Sequence, residues 1–198
     1  MAINLANNNS LANITALPSS ISGGAMTLLA TQTASGSANL SFTSGIDDTY
    51  DKYVFKFYNM HPATDSVPLK FNMSTDSGSN YNVTKTTTFF RAYHNESDSA
   101  AALGYDTGAD LAQSTSFQEL SAYIGNGADE NCSGTLTLFS PSSTTFVKHF
   151  MSVTNGVEDR DYSWNSYIAG YGNTTSAVDA IRFQFSSGNI DSGVIKLY

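Results

Sequence analysis

The chain contains few charged residues and no cluster of basic ones. Charged side chains make up 13% of the 198 residues, about half of the ~25% that is usual in soluble domains. The net charge is −8, and the nine Lys and Arg residues are scattered along the chain. Because binding to phosphate backbones needs clustered Lys and Arg, we expect no nucleic acid partner.

Cysteine and long apolar runs are also scarce. Cys132 is the one cysteine, which excludes an intrachain disulfide and a multi-cysteine metal site, and we interpret it as a half-buried structural residue at the start of a strand. No apolar run approaches the ~20 residues that span a bilayer. No export signal precedes Lys52, the first basic residue. We therefore expect that the protein does not insert into a membrane and is not exported by a signal peptide.

The local motifs of enzymes and metal sites are missing as well. The sequence has no GxSxG elbow, no phosphate loop with its Lys, and no HExxH or HxxxH spacing. His61, His94 and His149 fall in different segments, and structural roles are expected for them. We therefore expect a protein that is not an enzyme and that holds no metal or cofactor, although a site assembled from distant strands leaves no such motif.

Acidic residues gather at 47–51, 129–130 and 158–161. Paired carboxylates serve glycoside hydrolysis, and loops of several oxygen ligands bind calcium, but the spacing supports neither. Arg160 lies between Asp159 and Asp161. We interpret all three clusters as solvated turns, the last of them locally neutralised.

In most of the sequence, apolar residues recur at every second position. About ten short segments between residues 26 and 198 alternate or are rich in β-branched and aromatic residues, and Gly and Asx turns separate them. This pattern predicts one all-β domain over 26–198, an antiparallel, jelly-roll-like β-sandwich. Only the segment 97–113 has helix formers, and Gly104 and Gly108 limit it to a turn or two of helix within a loop.

Residues 1–25 do not match this pattern. They are rich in Asn, Ser, Ala and Gly, and their apolar residues are spaced too irregularly for an amphipathic helix. We predict an extended docking arm that places these side chains in a groove of another subunit or exchanges with an edge strand. The proposed assembly residues of the arm are Ile3, Leu5, Leu11, Ile14, Leu17 and Ile21.

The segment "RDYSWNSYIAGY" carries the densest group of aromatic residues. Tyr162, Trp164, Tyr167 and Tyr171 are candidate glycan-binding residues, because flat rings with amide neighbours stack on sugar faces. The alternative is that they are core residues and cross-strand pairs, which is the usual role of alternating aromatics in strands.

Several stretches together resemble small virion proteins of tailed bacteriophages, especially those common in marine samples. They are "SLANITALPSSISGGAMTLLATQTAS", "SFTSGIDDTYDKYVFKF", "STDSGSNYNVTKTT", "LFSPSSTTFVKHF" and "SSGNIDSGVIKLY". The resemblance covers most of the chain. It implies a structural protein of the virion, made in the cytoplasm of the infected bacterium.

From this resemblance we expect a non-enzymatic subunit on the exterior of the particle, a capsid decoration or head-fibre protein anchored by its arm. The alternatives are a tail or tail-fibre subunit and a glycan-binding module for a host receptor. The expected partners are further copies of the chain, with a homotrimer as the first choice, other structural proteins of the capsid or tail, and, for the last alternative, a host surface glycan.

Overall fold

The computed structural model describes residues 26–198, and this part of the chain forms twelve strands and no helix. It therefore holds no helix that could cross a membrane. The predicted arm at 1–25 lies outside the described residues. The all-β class expected from the period of two is confirmed.

Eight strands form the larger sheet, and every neighbouring pair in it is antiparallel. In spatial order they are β1 (Ala30–Ser37), β12 (Ile190–Leu197), β3 (Lys52–Pro62), β8 (Cys132–Phe139), β9 (Lys148–Glu158), β10 (Tyr162–Gly172), β5 (Lys85–Asn95) and β6 (Ala101–Tyr105). The strands β8, β9 and β10 follow one another in the chain and in space. The centre of this sheet is therefore a meander of consecutive strands.

Four shorter strands form the second sheet, which is also antiparallel. In spatial order they are β2 (Leu40–Phe42), β11 (Ala180–Phe185), β4 (Leu69–Ser74) and β7 (Gln118–Glu119). Because this sheet has half as many strands as the first, it cannot cover the whole of the larger one.

The two sheets face each other across one apolar core, which makes the fold sandwich-like. The ring of Phe42 in β2 meets Phe55 in β3 edge-on with 5.4 Å between centroids, and Phe71 in β4 meets Phe150 in β9 at 5.0 Å. Edge-to-face pairs of this kind are the preferred geometry of buried aromatic rings. We call the surface of the larger sheet that carries Phe55 and Phe150 its inner face, and the opposite surface its outer face.

The prediction of a helical turn within 97–113 is wrong. Residues 101–105, Ala-Ala-Leu-Gly-Tyr, form β6 instead, and they pair with β5 from Phe90↔Tyr105 to His94↔Ala101. Ala and Leu favour helices in isolation, but the free edge of β5 offers these residues a row of backbone hydrogen-bond partners. The very short β7 is the other strand that the sequence pattern did not indicate.

Candidate functional site

The four aromatic residues proposed for glycan binding all lie on β10, but they occupy two faces of the sheet. Successive side chains of a strand point to opposite faces. Tyr162 and Trp164 therefore share the inner face with the buried Ile168, whereas Tyr167 and Tyr171 lie on the outer face. The structure thus divides the predicted cluster into two separate surfaces.

On the inner face, Trp164 is covered rather than presented. It is 9% exposed. The ring of Tyr93 stacks on it at 4.9 Å, and the guanidinium of Arg91 lies 4.9 Å from its centroid. A sugar therefore cannot stack on this indole in the way that the sequence pattern suggested. The indole Nε1 is buried as well, and it has no hydrogen-bond acceptor among the described residues.

The contacts of Trp164 continue as a row of cations and rings along β5 and β10. Tyr93 meets Tyr162 edge-on at 5.4 Å, and the guanidinium of Arg160 lies 5.4 Å from the ring of Tyr162. Contacts between Arg and aromatic faces contribute about 0.5–2 kcal/mol each. They fix the orientation of the inner-face side chains at this end of the sheet.

Next to this row is a cavity of about 190 Å³. Phe89 and Trp164 line it from the larger sheet, Asp106 from the turn that follows β6, and Ser121 and Tyr123 from the segment after β7. This last segment bridges the two sheets, because Ile124 pairs with both Val67 and Glu158. The cavity is therefore enclosed by elements that are distant in the sequence.

Charged groups line the cavity in pairs. Arg91 forms an ion pair with Asp106, and Arg160 with Glu158. Contact with Glu158 raises the pKa of Arg160. The interpretation of 158–161 as a solvated turn is correct for Arg160, whose side chain is 67% exposed, and wrong for Glu158, which is 1% exposed. Its carboxylate is buried because the segment at Ile124 pairs with the end of β9.

The outer face of the larger sheet has a different character. Tyr167 stacks on Phe90 with 4.9 Å between centroids and 9° between planes, and the amide of Asn165 donates to the Tyr167 hydroxyl at 2.5 Å. Cross-strand pairs extend this row to Tyr105 on β6 and Val153 on β9. The row is open to solvent, since Phe90, Tyr105 and Val153 are each more than 40% exposed.

No formally charged side chain occurs on the outer face from β6 across β5, β10 and β9 to β8, in a protein of net charge −8. Apolar residues here include Met151, which is 57% exposed, and Leu103, which is 75% exposed. We call these five strands the neutral face. Its outward residues are Ala101, Leu103, Tyr105, Thr86, Thr88, Phe90, Ala92, His94, Ser163, Asn165, Tyr167, Ala169, Tyr171, His149, Met151, Val153, Asn155, Val157, Ser133, Thr135, Thr137 and Phe139.

Two shallow depressions of about 480 Å³ each lie on the neutral face, on either side of the Tyr167 row. One is mainly apolar and is lined by Phe139, Met151 and Tyr171. The other is lined by polar groups that include His94 and Asn155. Beyond the neutral face, the outer surface becomes basic, with three lysines on β3 and β12. These are Lys52, Lys56 and Lys196, and Lys56 pairs directly opposite Lys196.

The three histidines lie apart from one another in the fold. His61 contacts the carbonyl oxygen of Gly127 at 3.0 Å, His94 pairs with Asp98 at 2.9 Å, and His149 is exposed on the neutral face. Within residues 26–198, no group of three His, Cys, Asp or Glu side chains is arranged to hold a metal ion.

Cys132 does begin a strand, but the expectation that it is half-buried is wrong. It is fully buried at the start of β8, and burial raises the pKa of its thiol to about 12. A thiol with this pKa carries almost no thiolate at neutral pH, and the thiolate is the nucleophilic form. Cys132 is therefore an inert core residue.

Two lysines are buried on the inner face, one on each side of Gly172. The ammonium of Lys85 donates to Asn72 Oδ1 at 2.5 Å and to the carbonyl oxygen of Val83 at 2.7 Å. Burial lowers its pKa to about 7. Lys148 donates to the carbonyl oxygen of Phe146 at 2.7 Å, and burial lowers its pKa as well. Neither lysine has a carboxylate partner among the described residues.

Sequence reasoning missed the charged side of the cavity. Arg91, Asp106, Glu158 and Tyr123 come from four different segments, so no local spacing could indicate them. The division of the β10 aromatics between two faces, by contrast, could be predicted from the sequence. Tyr162 and Trp164 have even numbers and Tyr167 and Tyr171 have odd ones, and alternate residues of a strand share a face. The predicted arm residues Ile3, Leu5, Leu11, Ile14, Leu17 and Ile21 lie outside the described residues.

The geometry defines an all-β, sandwich-like protein with a large uncharged outer surface and a small polar cavity inside one end. No protein-family model, no curated protein and no solved structure matches this chain.

Proposed function

We propose that this chain is a non-enzymatic structural subunit on the exterior of a tailed-phage virion. A capsid decoration or head-fibre protein is the first choice, and an arm formed by residues 1–25 anchors it. The virion context rests on the resemblance of the sequence segments given above. The observation that supports a role as an assembling subunit is the neutral face.

A surface of this kind is suited to assembly. Monomeric soluble proteins rarely expose a large apolar patch, and larger patches mark interaction sites. Exposed aromatic rings and Met are enriched at interfaces, where charged residues are depleted. The neutral face combines these properties over five adjacent strands.

The partner that we propose for this face is a second copy of the chain, in a homotrimer. Copies with a net charge of −8 repel one another through most of their surface. The neutral face is free of that repulsion, and the lysines beside it at Lys56 and Lys196 attract the acidic surface of a neighbouring copy. Around a threefold axis, the neutral face of one copy packs on a different surface of the next copy, so the contact is heterologous.

We also propose that the connectivity is that of a jelly roll, a fold common among capsid proteins. To compare the strand order with a jelly roll, we number eight positions from β2 to β11 in chain order. The meander of β8, β9 and β10 together takes the seventh position. The smaller sheet then has the order first, eighth, third, sixth. The larger sheet contains second, seventh, fourth, fifth, with β1 and β12 added beyond the second strand.

Two alternative functions also use the neutral face, but in another part of the virion or for another kind of partner. A tail or tail-fibre subunit needs the same contact between copies. A glycan-binding module for a host receptor is favoured by the depression that His94 and Asn155 line beside the Tyr167 row, because aromatic rings with amide neighbours suit sugar faces.

Oligomeric state tests the role of the neutral face. We expect the wild-type chain to be a trimer by light scattering, and we expect Met151→Glu to weaken the trimer by at least tenfold, because it buries an unpaired charge. Phe146→Glu is the matched control: Phe146 is 72% exposed in a loop outside this face. A wild-type monomer, or a Met151→Glu trimer as stable as the control, would contradict the proposal.

The virion context has its own test. Antibodies against the purified protein are expected to label intact particles of the phage that encodes it, and a density map of the particle is expected to hold this two-sheet fold on the outside of the head. Particles that carry no label and lack the chain by mass spectrometry would exclude a virion role.

A further inference from the structure

The cavity beside Trp164 is independent of the neutral face and lies on the opposite side of the same sheet. Its volume is about 190 Å³, and its mouth carries Tyr123, which is 51% exposed, and the exposed side chain of Arg160. The cavity is thus reachable from solvent, while Phe89 and Trp164 line it from the buried face of the larger sheet.

One polar group in this site has no partner within residues 26–198. The indole nitrogen of Trp164 is buried without an acceptor from this part of the chain, in a residue that is 9% exposed. Leaving a buried donor unpaired costs about 1–3 kcal/mol, and buried indole N–H groups usually have an acceptor. The indole ring that carries this N–H lines the adjoining cavity, so a ligand in the cavity lies beside the ring.

The charges around the cavity select the class of ligand. Arg91 is paired with Asp106, Arg160 with Glu158, and Glu119 with Lys70 at 3.0 Å. An anion would have to displace a carboxylate from its arginine, and a cation would have to displace an arginine from its carboxylate. A neutral ligand displaces neither, and it can still use the lone pairs and N–H groups that the ion pairs leave free.

We propose that this cavity binds a neutral polyhydroxylated ligand, a single monosaccharide unit. A sugar hydroxyl accepts the hydrogen bond of the Trp164 indole, and neighbouring hydroxyls donate to Asp106 and accept from Arg91. Recognition is by the edge of the indole and not by stacking, because Tyr93 and Arg91 already pack on its ring. The proposal does not depend on the virion role or on the neutral face.

The chain has one tryptophan, which makes the indole of Trp164 a specific reporter. In a ¹H–¹⁵N spectrum of the full chain, we expect the single indole N–H peak to move and saturate as glucose, galactose, mannose or N-acetylglucosamine is added, each up to about 50 mM, well above a millimolar Kd. At least one of these probes should also shift the fluorescence of Trp164. An indole peak that none of these neutral sugars moves overturns the proposal without any variant.

Two variants then locate the binding. Arg91→Gln removes a guanidinium that lines the cavity and should weaken the Kd by at least tenfold. Tyr167→Ser removes the stacked ring on the outer face of the same sheet and should leave the Kd within about twofold. The opposite result, with loss in Tyr167→Ser and none in Arg91→Gln, would assign sugar binding to the neutral face and overturn the proposal. Tighter binding of N-acetylneuraminic acid than of neutral sugars would contradict the proposed ligand class.

Discussion

Replacement of Lys85 by Met is expected to change how the stability of the protein depends on pH. Lys85 is fully buried, and burial lowers its pKa from 10.5 to about 7. Between these two pH values the unfolded chain binds a proton that the folded chain does not. The free energy of unfolding therefore rises with pH through this window because of Lys85.

The size of the effect follows from the shift in pKa. A change from 10.5 to about 7 corresponds to about 5 kcal/mol at 1.36 kcal/mol for each pKa unit. This is an upper limit, because Asn72 Oδ1 and the carbonyl oxygen of Val83 accept hydrogen bonds from the ammonium. From pH 7.5 to pH 9.0 the contribution changes by about 2 kcal/mol, with stability rising toward pH 9.0.

The absolute effect of Lys85→Met is a poor test, because the substitution also leaves the Val83 carbonyl oxygen without the Lys85 donor, which costs about 1–3 kcal/mol at any pH. The pH dependence isolates the lysine. We expect the stability of the wild type relative to Lys85→Met to increase by about 2 kcal/mol from pH 7.5 to pH 9.0. Cys132, whose raised pKa acts in the opposite direction above pH 9, cancels because both proteins contain it.

Urea unfolding followed by the fluorescence of Trp164 and by circular dichroism measures the difference at each pH. Lys52→Met is the matched control for the loss of one lysine, since Lys52 is exposed at the start of β3. A Lys85→Met difference that stays constant within about 0.5 kcal/mol would refute the idea that burial depresses this pKa.

Further outcomes are expected from two glycine substitutions and from one truncation. Gly170→Ala should destabilise the protein by about 1–3 kcal/mol in urea unfolding, because a Cβ would lie 2.6 Å from the Thr86 carbonyl oxygen. Gly104→Ala in β6, where a Cβ meets nothing within 4 Å, should change stability by less than about 1 kcal/mol, and equal effects of the two would contradict this account of the packing. A protein that begins at Met26 should keep its β-rich circular dichroism and lose incorporation into particles; full incorporation would rule out an anchoring arm.

Much of the fold could be predicted from the sequence because strand formation here has a local signal. The ten predicted segments all contain strands, since alternation of apolar and polar residues matches the two-residue period of a half-buried strand. Of the predicted turns, 75–80 is one, because Gly78 adopts positive φ where the chain reverses, whereas 34–37 belongs to β1. The same alternation also predicts that Trp164 and Tyr167 lie on opposite faces of β10.

Tertiary structure decided what those strands contact. The residues Ala101–Tyr105 form β6 because the edge of β5 is there to pair with them. Lys85 and Glu158 are ordinary polar positions in the sequence, and they are buried because segments from elsewhere in the chain pair beside them. The cavity beside Trp164 likewise needs β5, β10 and the segment after β7 together. Periodicity records which face of a strand a residue occupies, whereas burial and site chemistry depend on long-range neighbours that no local pattern encodes.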